Sequence, residues 1–543
     1  EFGYTAELRV MNYNQAMKGP RRAEWRKEVK NEYDRMMKFN ALKRVKKKDL
    51  PRGAKVMSTT WAMKQKSNGK LRARLNARGF QQIDGLHYAS DSTSSPVTNA
   101  TSVRIVLTLL AMNKDWIAEI VDVEGAFLQG EFTDGEEIFI SIPQGFEDYY
   151  DKDEVLQLLV PLYGTKQAAL CFYKKLVQEI QDRQYERSKA DPCLYYCWKY
   201  GRLVVMLSWI DDNLIAGHPR DVEQLKQDLM NAFQCKEEGA LNEYVGSKIE
   251  RVEDSDGVAY KFTQPVLVTK LKEENGLSRG KIPQTPAKPG QVLIKGNGAL
   301  LLGAAATRYR SLTATMMFMM QWSRPDIYNA VRSLARHMHA PTEEHNAALH
   351  YCMKYVVSTP ERGLVLRPEG TWNGDKKYEF VVHGRSDSDY AGNTDDRRSI
   401  SGGTVTVNGA HVIFRSATQR FVTLSVTEAE TAAGVMVAQD MMYVYRVLTS
   451  IGLRVRLPMV LELDNKGAVD LANNFSVGGR TRHMDVRNHF LRELKAEGLV
   501  VIRHVSGDDN EADIFTKNTA THVFNKHIVK FVGNDAYIGI NSE

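Results

Sequence analysis

Residues Leu203 to Ala216 read Leu-Val-Val-Met-Leu-Ser-Trp-Ile-Asp-Asp-Asn-Leu-Ile-Ala, which is the most informative stretch of the chain. Two adjacent acids, Asp211 and Asp212, stand between a β-prone apolar run and a second apolar segment. The pattern predicts two buried strands joined by a tight turn that carries both carboxylates. Like charges at the edge of a core are costly unless a cation neutralises them, and a divalent metal commonly does so. The stretch therefore predicts a metal site.

The alternative is an ordinary solvated turn, because aspartate is common in turns. The chain contains two other Asp-Asp pairs, Asp395-Asp396 and Asp508-Asp509, and both are flanked by polar residues. Those pairs are typical of surface loops. Only the pair at Asp211 is enclosed by apolar residues, which favours the metal site over the solvated turn.

A second acidic strand lies upstream. Ile117 to Gln129 reads Ile-Ala-Glu-Ile-Val-Asp-Val-Glu-Gly-Ala-Phe-Leu-Gln, an apolar strand pattern that ends near Asp122 and is followed by Phe127. Mg²⁺ prefers hard oxygen ligands and is commonly held by one or two carboxylates together with substrate phosphates. Asp122 and Asp211 would supply the carboxylates, and a nucleotide would supply the phosphates.

These segments resemble the palm of the reverse transcriptase of Copia-type LTR retrotransposon polyproteins. Several ordered motifs carry more weight than any single one. The chain departs from the usual pattern at Trp209-Ile210, Ala169, Val426 and Thr431, and none of these departures removes a carboxylate. The matching stretches, in family order, are Lys70 to Gln82, Ser95 to Val97, Asp122 to Gly130, Pro161 to Ala168, Trp209 to Asn213, Tyr309 to Leu312 and Ser323 to Ile327.

The last third of the chain resembles the ribonuclease H domain of the same polyproteins. Asp387 and Asp464 each end an apolar strand pattern, Glu430 falls in a helical pattern between them, and Asp513 is expected to open a final helix. Four acids from different elements suit a two-metal phosphodiesterase. The matching stretches are Ser386 to Gly392, Thr427 to Glu430, Leu463 to Asn465, Arg480 to Glu493 and Ala512 to Lys517.

Two assignments in this region have competitors. Glu428 lies in the same Thr-Glu-Ala-Glu motif as Glu430, and the helix register of ribonuclease H enzymes favours Glu430. His483 lies in a family motif, where a structural or backbone-contacting role is favoured over catalysis.

The resemblance implies an RNA- and DNA-templated DNA polymerase with ribonuclease H activity, dependent on Mg²⁺ with Mn²⁺ as the second candidate. Its expected partners are an RNA template, a DNA primer, an RNA:DNA hybrid and dNTPs, with assembly as a homodimer or with other Gag and Pol products. A nuclease-only or inactivated domesticated derivative and a non-catalytic nucleic-acid binder are the rival classes. The implied polymerase site has metal ligands Asp122, Asp211, Asp212 and the Val123 carbonyl, a triphosphate clamp of Lys64, Arg72 and Arg74, Phe127 beneath the sugar, and Tyr163 and Gly164 beside the base.

Composition agrees with a multidomain globular protein. The chain has 543 residues, of which 43% are hydrophobic and 26% charged, and its length suggests about three or four domains. No apolar run approaches the ~20 residues that span a bilayer, so no membrane partner is expected. The first residues form no signal peptide, and the absence of an initiator Met suggests a fragment.

Cysteine usage points to a reducing compartment. Five cysteines occur without a repeated spacing, and Cys193 and Cys197 are expected in a strand because no second metal-binding pair follows them. The resemblance implies a location in the cytoplasm, within virus-like particles, with nuclear delivery of the product.

The net charge of +7 is small, but its distribution is uneven. Basic residues concentrate in Lys43 to Lys48 and in Lys64 to Arg78, as in a surface that binds a phosphate backbone. A solvated helix face explains the first cluster equally well. In the second, Lys70, Arg72 and Arg74 alternate with apolar residues, which predicts a strand with the cations on one face.

The predicted fold class is mixed α+β: a right-hand polymerase with fingers, palm and thumb, a connection segment, and a C-terminal α/β ribonuclease H-like domain. Helices are expected at 14–40, 166–183, 309–338 and 343–357, a hairpin and helix at 246–275, and a linker at 279–299. Met316, Met317, Met319 and Met320 are expected to fill a core. The predicted segments are an N-terminal helical segment (1–51), fingers and palm (52–245), thumb and connection (246–375), ribonuclease H (376–520) and a C-terminal tail (521–543).

Overall fold

The computed structural model describes residues 7–66, 69–90, 93–132, 136–274, 281–296, 298–473 and 485–533. They divide into two compact units. The first comprises the described residues within Glu1–Thr98, Ile117–Lys199 and Leu203–Leu241, and the second those within Asn99–Trp116, Tyr200–Arg202 and Asn242–Glu543. The mixed helix-and-sheet fold class is confirmed. None of the helices in the described part of the chain is long and apolar enough to cross a membrane.

The first unit begins with two helices and an antiparallel sheet. The predicted helical stretch is split at Gly19, and the first helix starts with a capping box in which the Asn12 side chain accepts from the Gln15 N–H. Its strands and helices are β1 (Glu7–Met11), α1 (Tyr13–Lys18), α2 (Arg22–Lys38), β2 (Leu42–Lys46), β3 (Val56–Met57), β4 (Thr59–Lys66) and β5 (Leu71–Ala77), with sheet order β1-β4-β5.

The next helix, α3 (Ala100–Met112), belongs to the second unit, although the predicted segment 52–245 places it with the fingers and palm. All thirteen of its residues are buried, so the helix is enclosed on every side. Within the second unit the buried Arg104 donates to the Val412 carbonyl at 3.2 Å. Sequence order gave no sign of this long-range packing.

The palm sheet of the first unit has six antiparallel strands in the order β13-β6-β12-β11-β10-β9. The helix predicted at 166–183 spans Ala168–Asp182 and packs its apolar face on this sheet. Cys197 lies in a strand and Cys193 directly before it. The elements are β6 (Ile117–Val123), β7 (Ile138–Ile140), β8 (Glu154–Leu158), α4 (Ala168–Asp182), β9 (Glu186–Arg187), β10 (Leu194–Lys199), β11 (Arg202–Trp209), β12 (Asp212–Gly217), α5 (Pro219–Ala232) and β13 (Cys235–Ala240), and a separate sheet has the order β2-β8-β7-β3.

The middle of the chain continues the second unit with a hairpin, a helix and a helical bundle. The predicted linker has no regular secondary structure over the described residues 281–296. Met316 and Met319 are buried, whereas Met317 is exposed, so the prediction of a four-residue methionine core is wrong at Met317. The elements are β14 (Glu243–Tyr244), β15 (Ser247–Asp254), β16 (Gly257–Thr263), α6 (Pro265–Lys272), α7 (Gly303–Trp322), α8 (Tyr328–Ala335), α9 (Glu343–Ser358) and β17 (Leu364–Leu366).

A five-stranded α/β sheet follows, in the order β21-β20-β19-β23-β24. β19 pairs antiparallel with β20 and parallel with β23, which pairs parallel with β24. This is the α/β domain predicted for the last third of the chain. Its elements are β18 (Glu379–Phe380), β19 (Val382–Asp389), β20 (Ile400–Val407), β21 (Ala410–Thr418), α10 (Val426–Ser450), β22 (Arg454–Val455), β23 (Met459–Leu463), α11 (Lys466–Asn473), α12 (Asp485–Ala496), β24 (Val500–His504) and α13 (Thr521–Val532).

Two local expectations in this region differ from the structure. The strand expected to end at Asp387 continues to Asp389, and Asp513 lies within the short 3-10 helix Glu511–Phe515 instead of opening an α-helix. Part of the expected tail is α13, which buries Phe524, Ile528 and Phe531. Its apolar residues recur at helical spacing, which anchors this segment in the second unit.

Candidate active sites

The acidic turn of the palm is a two-residue hairpin loop. Trp209 pairs with Asp212, which leaves Ile210 and Asp211 as the loop. Ile210 adopts a left-handed conformation with φ of 57°, and a β-branched residue in that region stores strain that commonly marks functional sites. The Val123 N–H donates to the Asp211 carbonyl at 2.9 Å. The turn is therefore fixed to the strand that carries the other predicted acid.

Three acids meet at this end of the sheet. Asp212 lies directly opposite Asp122 in the β12–β6 ladder. Burial, followed by the charge of Asp211, raises the pKa of Asp122 to about 6. Burial also raises the pKa of Asp211, opposed by Arg72 and Arg74. Buried carboxylates that lie beside one another are a suitable donor set for a hard divalent cation.

The predicted basic face is present on β4 and β5. Lys64 lies directly opposite Arg72, and Arg74 is opposite Ala62 one pleat further. Ala73, Leu75 and Ala77 are buried on the other face. The charges of the two arginines oppose the burial that raises the pKa of the palm acid Asp211, so the cationic face and this acid lie within electrostatic reach of each other.

Arg74 forms an ion pair with a buried acid that the sequence did not lead us to predict. Glu32 of α2 accepts from Arg74 Nη1 at 3.1 Å and from the Leu75 N–H at 3.2 Å, and it is almost fully buried. Arg35 forms a second ion pair with it at 3.2 Å. The signal was available: Glu32 falls on the stripe of Trp25, Val29 and Met36 that α2 buries, and an acid on such a stripe needs a partner.

Phe127 and Tyr163 form the wall of this region. Their ring centroids are 4.7 Å apart, and Phe127 is 8% exposed within the palm core. Gly164 has φ of +89°, and a Cβ there would lie 2.2 Å from the Ala77 carbonyl oxygen. Only glycine fits this close approach. The predicted sugar and base contacts are thus adjacent, with Phe127 buried enough to serve the core as well.

The second acidic centre lies in the α/β domain. One carboxylate oxygen from each of Asp387, Glu430 and Asp464 lies within 4.8 Å of the others. Asp387 comes from β19, Glu430 from α10, and Asp464 directly follows β23. In the part of the chain that the structure describes, this is the one group of three metal-ligand side chains so close together.

The structure distinguishes between the candidate acids of this centre. Glu428 accepts from the Leu424 N–H at 2.7 Å at the start of α10, away from the three acids. Asp513 is outside the group of three, but its charge raises the pKa of Asp387 and of Asp464 after the larger effect of burial. His483 lies outside the described residues.

The donor set suits a divalent cation. Burial and the neighbouring acids raise the pKa of Glu430, and burial dominates the raised pKa of Asp387. Glu430 Oε2 is buried without a hydrogen-bond partner among the described residues, an arrangement that a metal would satisfy. Lys517 donates to Asp387 Oδ1 at 3.3 Å and to Asp513 Oδ1 at 2.9 Å. The sequence reasoning gave Lys517 no role, although its spacing from Asp513 predicts an i,i+4 pair.

Comparison with known proteins identifies the class. Residues 43–288 match the family described as reverse transcriptase (RNA-dependent DNA polymerase). The chain is 30% identical over 515 residues to the retrovirus-related Pol polyprotein from transposon TNT 1-94 of Nicotiana tabacum, which covers 92% of this chain and 37% of that polyprotein. It is 31% identical over 480 residues to the polyprotein from transposon RE1 of Arabidopsis thaliana, covering 87% of this chain and 31% of that polyprotein.

Residues 43–288 thus match the reverse transcriptase family, and most of the chain is homologous to the Pol polyproteins of Copia-type transposons. It spans about a third of the length of these relatives, 37% and 31%. Among solved structures it is similar to the foamy viral protease-reverse transcriptase in complex with dsDNA, with 11% identity, a TM-score of 0.46, and coverage of 89% of this chain and 83% of that one. The LC11 ribonuclease H1 from compost matches at 14% identity and a TM-score of 0.21, over 27% of this chain and 98% of that one.

Proposed function

We propose that this chain copies RNA and DNA templates into DNA and cleaves the RNA strand of the resulting RNA:DNA hybrid. The observation that supports this proposal is the presence, in one chain that matches the reverse transcriptase family, of two separate acidic centres. One is the strained palm turn at Asp211, and the other is the buried group of Asp387, Glu430 and Asp464. Each centre has a donor set suited to metal-assisted chemistry on phosphate esters.

Divalent ions, Mg²⁺ or alternatively Mn²⁺, would be held in the palm by Asp122, Asp211, Asp212 and the Val123 carbonyl. In the α/β domain they would be held by Asp387, Glu430, Asp464 and Asp513. When bound, such ions lower the pKa of the attacking hydroxyl or water and stabilise the charge of the leaving oxygen. The carboxylates supply hard oxygen ligands, which these ions prefer.

The other residues of the palm would position the incoming dNTP. Lys64, Arg72 and Arg74 share one face of the fingers sheet, and guanidinium groups bind phosphates through paired donors. Phe127 would lie under the sugar and exclude a 2′-hydroxyl. Tyr163 with Gly164 would border the base, where the absence of a Cβ at residue 164 leaves the chain close to β5.

The proposed partners follow from these roles. They are an RNA template, a DNA primer, an RNA:DNA hybrid and dNTPs, together with a second copy of the chain or other Gag and Pol products. The proposed location is the cytoplasm, within virus-like particles, with nuclear delivery of the product. The domain limits at residues 51, 245, 375 and 520 stay predictions alongside the two units of the structure.

Primer extension tests the proposal. The full chain is incubated with a DNA primer on an RNA template, dNTPs and Mg²⁺, and hybrid cleavage is followed with a labelled RNA strand. Extension and cleavage that both stop with a chelator and return with added Mg²⁺ are expected. Nucleic-acid binding unaffected by the chelator, without either product, would instead identify a non-catalytic binding derivative.

A further inference from the structure

Lys517 occupies a place among the acids of the α/β domain where a cation would be expected. Its ammonium group lies 3.3 Å from Asp387 Oδ1 and 2.9 Å from Asp513 Oδ1. It thereby connects strand β19 with the short helix Glu511–Phe515. Thr516 next to it also donates to Asp387, at the other oxygen. Two neighbouring side chains thus each donate to one oxygen of a carboxylate assigned to metal binding.

This contact differs from an ordinary surface ion pair. The Asp387 side chain is 1% exposed and that of Lys517 is 41% exposed. Exposed pairs are weak because water screens them, whereas a buried carboxylate depends on its partner. Two carboxylates contact the ammonium group of Lys517, and opposite charges at this distance favour its charged form.

The contact with Lys517 also affects whether a divalent ion can bind Asp387. A divalent ion and an ammonium on the same carboxylate repel each other at short range. The lysine stem is long and flexible and its side chain is partly exposed, so the ammonium can move outward while the aspartates stay in place. A rigid arginine at this position would be less able to do so.

We propose that Lys517 is the resident counter-ion of this acidic centre, which holds Asp387 and Asp513 together without metal and competes with a divalent ion for Asp387. The inference rests on the proposed function of the centre as a metal site. Lys517 thus regulates metal loading of the hybrid-cleaving site, and the apparent metal affinity is the intrinsic affinity reduced by the cost of displacing the ammonium.

Lys517→Met removes the charge and keeps the apolar stem. Lys526→Met is the matched control, because Lys526 also pairs with an aspartate, Asp509 at 3.1 Å, on the exposed surface. Mn²⁺ binding to the full chain is measured by electron paramagnetic resonance. The Mn²⁺ binding that disappears in Asp387→Asn is assigned to this centre, and only that part is compared between variants. Mn²⁺ bound by the palm acids is thereby left out of the comparison.

Lys517→Met is expected to bind Mn²⁺ at least about fivefold more tightly than the parent, in the usual range of coupling between two ligands. Its Tm without metal should be lower than that of the parent, and added Mn²⁺ should raise it to the parental value. Lys526→Met should match the parent in both measurements. Unchanged or weaker Mn²⁺ binding in a folded Lys517→Met protein, judged by circular dichroism and retained primer extension, would overturn the proposal, because it would mean that Lys517 only shapes the site.

Hybrid cleavage is scored separately. Tighter Mn²⁺ binding without cleavage by any variant would support the counter-ion role and contradict the proposed nuclease function. Cleavage by the parent together with equal Mn²⁺ affinity in Lys517→Met would support the proposed nuclease function and contradict the counter-ion role. Absence of any component that depends on Asp387 would overturn the counter-ion role, because there would be no metal for Lys517 to oppose.

Discussion

The backbone N–H of Val123 lies 2.9 Å from the carbonyl oxygen of Asp211 and donates a hydrogen bond to it. This bond continues the β6–β12 ladder, in which Asp122 is opposite Asp212, beyond the last paired residue and into the hairpin turn. The turn residue and the strand residue therefore move as one unit. Ile210 remains in its costly left-handed conformation because both flanking strands are paired.

Asp211→Asn should abolish primer extension on RNA and DNA templates and leave hybrid cleavage nearly intact. The substitution keeps the side-chain size but removes a negative ligand, and metal-based charge stabilisation is worth several kcal/mol, so a fall of about a thousandfold or more is expected. Single-turnover extension measures it. Asp396→Asn, in an exposed loop, is the control, and normal extension by Asp211→Asn would contradict the palm assignment.

Phe127→Val should increase ribonucleotide incorporation relative to dNTP incorporation. The ring that contacts Tyr163 at 4.7 Å would be replaced by a shorter side chain, which leaves room for a 2′-hydroxyl. Steady-state kcat/KM for a matched rNTP and dNTP pair gives the ratio. An unchanged ratio with a lowered Tm would show that Phe127 only fills the core.

Much of the local structure followed from pattern. The apolar runs on both sides of Asp211 predict a hairpin, because only the three polar residues Asp211, Asp212 and Asn213 separate them. The alternation of Arg72 and Arg74 predicts a strand face, and the structure has it. Such features depend on residues close in the sequence, where periodicity alone fixes which side chains share a surface.

Long-range packing could not be predicted in the same way. The fully buried helix α3 joins the second unit although its sequence neighbours on both sides belong to the first. Periodicity indicates that this helix is buried but not against which strands. The same limit hid the contact between Glu32 and Arg74, which are 42 residues apart. Met317 faces solvent because a run of methionines has no single apolar face.

Glu32→Gln should raise the KM for dNTP about tenfold and change kcat little. Glu32 holds Arg74 at 3.1 Å, so its loss should release a guanidinium that is proposed to bind the triphosphate, a loss of about 1–2 kcal/mol in charge-assisted hydrogen bonding. Glu24→Gln removes the same charge from the exposed part of the helix and is the control. Equal KM values in the two variants, both folded, would assign Glu32 a purely structural role.

Glu511 should make the α/β domain sensitive to acid. Burial would raise the pKa of Glu511, but the neighbouring His411, whose Nε2 lies 3.7 Å from Glu511 Oε1, and the charges of Arg385 and Lys530 outweigh it, so the pKa lies below its ordinary value of 4.5. A lowered folded-state pKa contributes stability above the unfolded value, and this contribution is lost as the pH falls through the folded one.

Glu511→Gln is therefore expected to cost about 3 kcal/mol of unfolding free energy at pH 7, the usual effect of breaking a buried ion pair. The difference from the parent should shrink as the pH falls below about 4.5. Urea unfolding of both proteins at pH 7, 5 and 3.5 measures it. A difference that is constant with pH would mean that the Glu511 ion pairs add nothing beyond side-chain packing.

Asp387→Asn and Asp464→Asn should each stop cleavage of the RNA strand in a hybrid and leave primer extension close to the parental rate. One oxygen of each carboxylate lies within 4.8 Å of the other and of Glu430, so both acids would hold the same ions, and loss of either leaves those ions poorly bound. The double variant should be hardly worse than either single one, because residues that act as one unit are not additive. Glu428→Gln, which changes an acid at the start of the same helix as Glu430, should cleave like the parent. Parental cleavage by either aspartate variant, or equal loss of both activities in folded protein, would show that the two acidic centres do not act as two separate active sites.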